Sequence, residues 1–547
     1  MAYLLNRLLL LCTLSTLVCS VVSKTDSVFV KEENTRLVIN TSRIVATVDD
    51  HFLCATLDWF QPTQCDYGLC NGSLTGVLNL DLENPLFQKT LAGLAPLLVR
   101  IGGTLQDLVV YDVGDQLPSE PCLPFVFNES ALFSYSGGCL HMDRWDALNK
   151  LFVKLGVSVA FGLNALYGRS KSTAQYEVLT PWNPKNAENF IRYTRDRSYP
   201  VIAWELGNEL LGATTSIGKT VPPELYAADF KKLRNIIDKL YKGDASKPFA
   251  VAPDKVEYVI GETDIPRFLH ASRKSADVIT RHIYNLGSGR NTTDELISKV
   301  LDPSVAEAEV AKYKSLQTLL EEHGTTSAWI GEAGGAFGGG HHEVTDAFIS
   351  AFWYLDQLGT ASRYNNQAFC RQSFVGGFYG LVEADFNPNP DYYGALLWRQ
   401  LMGRGVFDVD VQSGTSDVRA YAHCQRSNKG GLTLLILNYS NLTSHNLDVS
   451  LLGRSADPSP RNFTGKNTFS EASASDERLE YHMSAANGSV TGRIVLLNGK
   501  PLLVTPSGEI PTLSPVKVKS TNPISLAPLT YAYVVIPDAY APACATV

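Results

Sequence analysis

Val201-Ile202-Ala203-Trp204-Glu205-Leu206-Gly207-Asn208-Glu209 reads as a buried β-strand that breaks at Gly-Asn and leaves a carboxylate at its end. Comparable short β-rich runs lie on either side of it: Phe52–Asp58, Leu97–Gly103 and Val157–Asn164 before, Phe249–Pro253, Val278–Tyr284, Ser327–Glu332 and one within Arg363–Val382 after. Helical spacing fills the gaps between them. Trp145, Leu148, Leu151/Phe152 and Leu155 share one face and stop at Gly156, a suitable C-cap. Asp302-Pro303 opens another helix that runs through Val310, Tyr313, Leu316 and Leu320 to Gly324, and Pro222-Pro223 opens one through Leu233, Ile236/Ile237 and Leu240. Eight strands, each followed by a helix or a long loop, predict an α/β fold, a (β/α)8 TIM barrel over residues 46–402. A doubly wound open sheet competes, but no GxGxxG follows the first strand.

Beyond residue 403 the pattern changes. Arg419–Cys424, Leu432–Asn438, Leu447–Leu452 and Leu529–Ile536 are strand-like, and Ile494–Leu497, Asn498-Gly499, Pro501–Val504 reads as a hairpin. Residues 403–547 are therefore expected to form an all-β sandwich. Residues 24–45 are also strand-like, with Val28-Phe29-Val30 and Leu37-Val38-Ile39, and could add a strand to that sandwich. Residues 455–490, rich in Ser, Asn and Asp, read as surface loop.

The 547 residues suit two domains, and 45% hydrophobic against 19% charged residues supplies a large core. A net charge of −8 argues against nucleic acid or a densely sulfated polymer as the main partner. Residues 1–23 read as a signal peptide: Arg7 precedes the apolar run Leu8–Val22, and Val21-Val22-Ser23 has signal-peptidase spacing, with a cut after Ser20 as the near alternative. Its removal takes Arg7 and no acid, lowering the charge to −9. No second apolar segment reaches the ~20 residues of a spanning helix. Ten Cys become eight, without a CxxC pair, so zinc and thioredoxin-like sites are not expected. Cys65 with Cys70 and Cys122 with Cys139 are sequence-local pairings. Eight sequons, at Asn40, Asn71, Asn128, Asn291, Asn438, Asn441, Asn462 and Asn487, fit a glycoprotein of the secretory route. A secreted, extracellular or cell-wall monomer is expected. A vacuolar or lysosomal location, peripheral on the membrane, is the alternative.

Active sites of such barrels lie where the strands end. Trp204-Glu205-Leu206-Gly207-Asn208-Glu209 ends the fourth strand and Trp329-Ile330-Gly331-Glu332 the seventh, so Glu209 and Glu332, 123 residues apart, would face each other across the mouth. Glu205 is the local rival. Strand parity aims it inward too, but deeper, where pairing with Arg100 or another base would make it a buried structural carboxylate. Two carboxylates so placed suit glycoside hydrolysis, one protonated to assist the departing oxygen and one ionised to attack the anomeric carbon. Asn208, beside the acid, could hold a sugar 2-hydroxyl.

These motifs, with Gly338-Gly339-Gly340, Arg100-Ile101-Gly102-Gly103-Thr104, Phe161–Leu166 and Phe386–Tyr392, resemble the heparanase and β-glucuronidase family, glycoside hydrolase family 79, its plant heparanase-like group above all. The resemblance spans nearly the whole mature chain. It implies a retaining mechanism with Glu209 as acid/base and Glu332 as nucleophile, and no metal or organic cofactor. It also implies a uronic-acid site: Asp58, Thr104 and Asn208 on sugar hydroxyls, Tyr379 and the amides of Gly338 and Gly339 on the carboxylate, and His282, Tyr284 and Arg290 around the nucleophile and cleft. It further implies a Cys424–Cys544 bridge.

Some positions depart from the family's mammalian heparanases. Leu105 stands where they carry Lys, Phe337 stands where they have Tyr, and no basic linker like their excised segment lies between Asn71 and Asn164. The expected substrate is therefore an unsulfated or lightly substituted β-glucuronide, such as one on arabinogalactan proteins. The alternatives are an endo-acting heparanase-like enzyme on heparan sulfate-type proteoglycan chains, and, in another class, a non-catalytic carbohydrate-binding protein.

Overall fold

Eight parallel strands close into a barrel with each strand beside its sequence neighbour: Leu53–Leu57, Leu97–Ile101, Val157–Leu163, Val201–Leu206, Phe249–Val251, Val278–Ile283, Ser327–Ala333 and Asn366–Arg371, the eighth pairing with the first. The computed structural model describes residues 30–61, 72–114, 122–169, 180–211, 220–255, 258–324, 327–454 and 477–546. The signal-peptide reading therefore lies outside the described residues. Each strand falls on a run legible in the sequence. The helices Met142–Leu155, Pro223–Leu240 and Pro303–His323 form where their apolar faces predict, and Gly156 and Gly324 cap two of them in the left-handed conformation.

Side-chain parity builds the barrel interior in layers. Cys54, Leu98, Ala160, Ala203, Val251, Val278, Trp329, Ala368 and Cys370 form an apolar layer that draws on all eight strands. Two residues further along, the same faces carry Thr56, Arg100, Glu205, Thr280 and Gln372, so a polar layer sits directly on the apolar one. Cys54 and Cys370 also form a disulfide across the seam between the first and eighth strands.

The chain begins and ends in a sandwich. One sheet has the order Val409–Gln412, Lys31–Asn40, Thr443–Leu452, Ile524–Leu526, so the N-terminal strand does join it, parallel to Thr443–Leu452. The second sheet has nine strands, among them Val418–Gln425, Leu432–Asn438 and Thr530–Ile536, and also takes in Ala46–Thr47. Its alternation serves two cores. Ala532 and Val534 pack into the sandwich with Leu37, Ile39, Leu434 and Leu447, whereas Tyr531, Tyr533 and Val535 face the barrel. There Tyr533 Oη donates to the Gly394 carbonyl at 3.0 Å and Tyr439 Oη to that of Phe352 at 2.9 Å.

Three expectations need correction. Glu477–Ala485 is a strand paired with Thr530–Ile536, not surface loop; its apolar alternation of Leu479, Tyr481, Met483 and Ala485 is masked by Glu477, Arg478 and Glu480, and the last two form a buried ion pair at 2.6 Å. Residues 455–476 lie outside the described residues. In the hairpin, Asn498 and Gly499 both take positive φ as a tight turn requires, but its second strand stops at Pro501. Asn438 is fully buried, and its amide donates to the carbonyls of Thr443, Leu526 and Ala527 at 2.8, 3.2 and 2.9 Å, which leaves no room for a glycan. Asn40, Asn128, Asn441 and Asn487 are exposed and Asn291 is half-buried, while Asn71 and Asn462 lie outside the described residues. Cys122–Cys139 and Cys424–Cys544 are bonded, the latter with Cα atoms 5.5 Å apart; Cys65 and Cys70 lie outside the described residues.

Candidate active site

The fourth strand stops at Leu206, at the Gly-Asn break its sequence predicts. Gly207 takes φ +75° and Glu209 φ +56°, so the chain turns out of the sheet and sets Glu209 at the rim. A left-handed glutamate is uncommon, and local strain of this kind clusters at functional positions. Asp107 fixes the turn: its Oδ1 accepts from the Ala165 N–H at 2.7 Å and its Oδ2 from the Asn208 N–H at 2.8 Å. On the seventh strand, strict alternation from Trp329 would send Glu332 outward. The pairing register with the eighth strand shifts between Ile330 and Ala333, and Glu332 reaches the mouth.

Arg100 organises what lies between. It is fully buried. Its Nε donates to Glu205 at 2.8 Å, its Nη1 to Glu332 Oε2 at 2.9 Å, and its Nη2 to Asn208 Oδ1 at 3.0 Å and to Asp254 Oδ2 at 2.6 Å. Glu205 is thus the deep carboxylate paired with Arg100, and burial keeps its pKa raised despite that cation. Burial opposes the Asp254 charge, but Arg100 and His282 outweigh it and hold this carboxyl below its usual range. Glu332 Oε1 accepts the Tyr284 hydroxyl at 2.5 Å. His282 contacts Glu209 Oε1 through Nδ1 and Asp254 Oδ1 through Nε2, each at 2.6 Å. Burial disfavours the His282 cation, yet the charges of Asp254 and Glu332 and the hydrogen bonds of Asp254 and Glu209 raise it well above an ordinary imidazole.

One carboxylate oxygen of Glu209 lies within 4.8 Å of one of Glu332. Glu209, His282 and Glu332 are near enough to share an ion, but both ring nitrogens of His282 already meet carboxylate oxygens at 2.6 Å, which leaves neither free for a metal. Asp112, Cys122, Cys139 and His141 also cluster, with both sulfurs already joined to each other.

The other expected residues surround this centre. Asp58, at the end of the first strand, accepts from the Trp59 N–H at 2.6 Å and from Gln372 Nε2 at 3.0 Å; burial and the Glu332 charge push it up to about 7. Thr104 follows Gly103, whose φ of +119° leaves no room for a side chain beside Asp58. Tyr379 is buried and, with Tyr284, flanks the Cα of Gly334. Gly338 and Gly339 have positive φ and form a turn against the eighth-strand loop, where the Phe378 N–H donates to the Gly339 carbonyl at 2.6 Å. Arg290 is exposed, at the outer end of the loop that follows the sixth strand. Asp254, Gln372 and Asp107 are the site residues that sequence reasoning missed. Asp254 and Gln372 each sit a few residues or less past a strand end, and that position was the available signal.

Residues 34–359 match the family described as glycosyl hydrolase family 79, N-terminal domain. The chain belongs to glycosyl hydrolase family 79. Among its relatives, heparanase-like protein 3 of Arabidopsis thaliana is 42% identical over the whole of both chains. Baicalin-beta-D-glucuronidase of Scutellaria baicalensis is 37% identical over 97% of this chain and 96% of its own. A 4-O-alpha-L-rhamnosyl-beta-D-glucuronidase from Fusarium oxysporum has the same fold, with a TM-score of 0.62 at 14% identity over 92% of this chain and all of its own. The family 79 chain is accordingly a glycosidase built as a TIM barrel with an appended sandwich. No helix among its described residues is long and apolar enough to cross a membrane.

Proposed function

We propose that this family 79 hydrolase is a secreted retaining β-glucuronidase, with Glu332 as nucleophile and Glu209 as acid/base. The observation that carries the reading is that one carboxylate oxygen of Glu209 lies within 4.8 Å of one of Glu332. Retaining enzymes hold theirs ~5–5.5 Å apart, whereas inverting ones need ~6.5–9.5 Å to admit water. Glu332 forms a bond to the anomeric carbon as the glycosidic C–O bond breaks, and the departing oxygen takes the proton of Glu209. Water then displaces Glu332 from that carbon and gives its proton back to Glu209. Arg100 and the Tyr284 hydroxyl hold the Glu332 oxygens in place for attack.

Recognition of a uronate falls to Tyr379 and the amides of Gly338 and Gly339, with Asp58, Thr104 and Asn208 on the hydroxyls. Backbone N–H groups bind an anion without a basic surface, which accords with the net charge of −8. Leu105 is buried, so this position offers no cation to a sulfate. That favours glucuronic acid on unsulfated glycans or glycoconjugates over heparan sulfate chains. The family 79 relative named for a β-glucuronidase supports the same class. The leader and the exposed sequons support export to the extracellular space or cell wall.

Matched aryl β-glucuronide and β-glucoside test the reading. A preference of ~100-fold or more in kcat/KM for the glucuronide is expected, because a site built for an anion leaves donors unpaired without it. Glu332→Gln should be silent on any aryl β-glucuronide. Glu209→Gln should keep activity on a good leaving group, and Glu209→Ala should regain turnover with azide and give the β-azide. Equal rates on the two sugars would refute the uronate assignment.

A further inference from the structure

Asp254 takes no part in the two-carboxylate chemistry, yet it is fully buried just beyond the fifth strand and touches four groups that surround it. Its Oδ1 meets His282 Nε2 at 2.6 Å, its Oδ2 accepts Arg100 Nη2 at 2.6 Å, and its carbonyl accepts the backbone N–H of Glu209 at 3.1 Å. The Asp254 N–H in turn donates to Thr280 Oγ1 at 2.9 Å, on the sixth strand. The residue is therefore locked to the second, fourth and sixth strands. His282 has a carboxylate at each ring nitrogen. A neutral imidazole has one N–H and could satisfy only one of two carboxylates 2.6 Å away, whereas the cation donates to both.

We infer that Asp254 is a positioning residue for proton transfer: it fixes the His282 ring so that Nδ1–H is aimed at Glu209 Oε1, and the transferable proton is thereby confined to Glu209 Oε2. A carboxyl that accepts a hydrogen bond on one oxygen carries its acidic proton on the other, so the contact selects which oxygen faces the glycosidic bond. The inference rests on the reading of Glu209 as acid/base. The charged groups facing His282 are Asp254 from the fifth strand, Glu209 and Glu205 from the fourth, and Glu332 from the seventh, 3.9 Å from Nδ1; Arg100 acts from the second strand through Asp254 and Glu332. The excess of acids raises this imidazole well above its ordinary value against its burial.

Asp254→Asn tests the role, since it keeps the shape and removes the charge. With kcat/KM as the readout, an unactivated phenyl glycoside should lose ~10- to 100-fold, and a 2,4-dinitrophenyl glycoside, which departs without protonation, less than ~3-fold. The phenyl rate should also show a new ionisation near neutral pH, as His282 becomes free to lose its proton. Equal losses on the two leaving groups would overturn the proposal, because they would mark a structural effect or one on the nucleophile. A second measurement stands even if that variant fails to fold. The wild type carrying 15N-labelled histidine should show, at pH 8, an imidazolium whose signals vanish in His282→Gln; absence of any imidazolium at pH 8 would overturn the proposal. A wild type silent toward aryl β-glucuronides counts against the uronate reading alone, because the histidine spectrum is recorded without sugar.

Discussion

Replacing Arg100 by Met strips a buried cation from Glu205, Asp254 and Glu332 together and leaves Asn208 Oδ1 without its donor. Breaking one buried ion pair from one side typically costs ~3–5 kcal/mol. A chain of this length loses about 1.1 kcal/mol of stability per degree near its melting point, so the expected fall in Tm at neutral pH is ~3–4 °C. The pH dependence is the more telling signal. Without the guanidinium, Glu205, already raised by burial, rises further, and Asp254 loses the main cation that holds it below its usual range. A raised carboxyl lowers stability only above its unfolded pKa, so the deficit should be small near pH 4.5 and grow toward pH 7.5. Thermal unfolding of wild type and Arg100→Met at those two pH values measures it, with circular dichroism as the check on folding. A Tm deficit equal at both pH values would show that Arg100 acts through packing rather than charge, and would refute the reasoning.

Burial also pushes Asp58 and Asp107 up to about 7 and Asp391 up to about 6. The folded wild type thus binds more protons than the unfolded chain between pH ~4 and 7, so its Tm should be higher at pH 5 than at pH 7.5; the opposite order would contradict these directions. In Gly103→Ala, the new Cβ would lie 2.3 Å from Asp58 Oδ1 at a φ of +119°. Activity on an aryl β-glucuronide should drop at least ~10-fold while stability falls by ~1–3 kcal/mol, and an unchanged kcat/KM would separate Asp58 from the site. Asn438→Gln should leave the glycan mass unchanged by intact mass spectrometry, yet lower Tm, because a longer amide cannot keep three buried carbonyls satisfied.

The barrel was legible because each strand is a short apolar run between amphipathic helices, and the same parity that buries Leu98 and Ala203 also aims Arg100 and Glu205 inward. The site was legible where chemistry coincides with a strand end, as at Glu209 and Glu332. Asp254 and Gln372 escaped because each stands at a strand–loop junction beside other polar residues, Lys255 in one case and Arg371 and Ser373 in the other, with nothing in the sequence to single it out. Their roles depend on neighbours, His282 and Asp58, that only closure of the barrel brings within reach. Cys54 and Cys370 escaped for the same reason: 316 residues separate them, and they meet because the first strand of a closed barrel is the neighbour of the last. At Asn438 the sequon pattern carries no report of burial, and the residue ends a strand whose every position is buried.

The placement of Lys31–Asn40 sets a schedule for the ribosome. This strand hydrogen-bonds to Val409–Gln412 and Thr443–Leu452, so it leaves the exit tunnel some 370 residues before either partner exists. At ~5–20 residues per second that is a wait of about 20–70 s, during which the whole barrel can form while its first-made neighbour has nothing to pair with. Leu37 and Ile39 would then be wet and both strand edges open, the condition that favours pairing with another nascent chain. Lys31, Glu32, Glu33 and Arg36 put charge along that orphan strand, and charge on an open edge disfavours pairing with another copy.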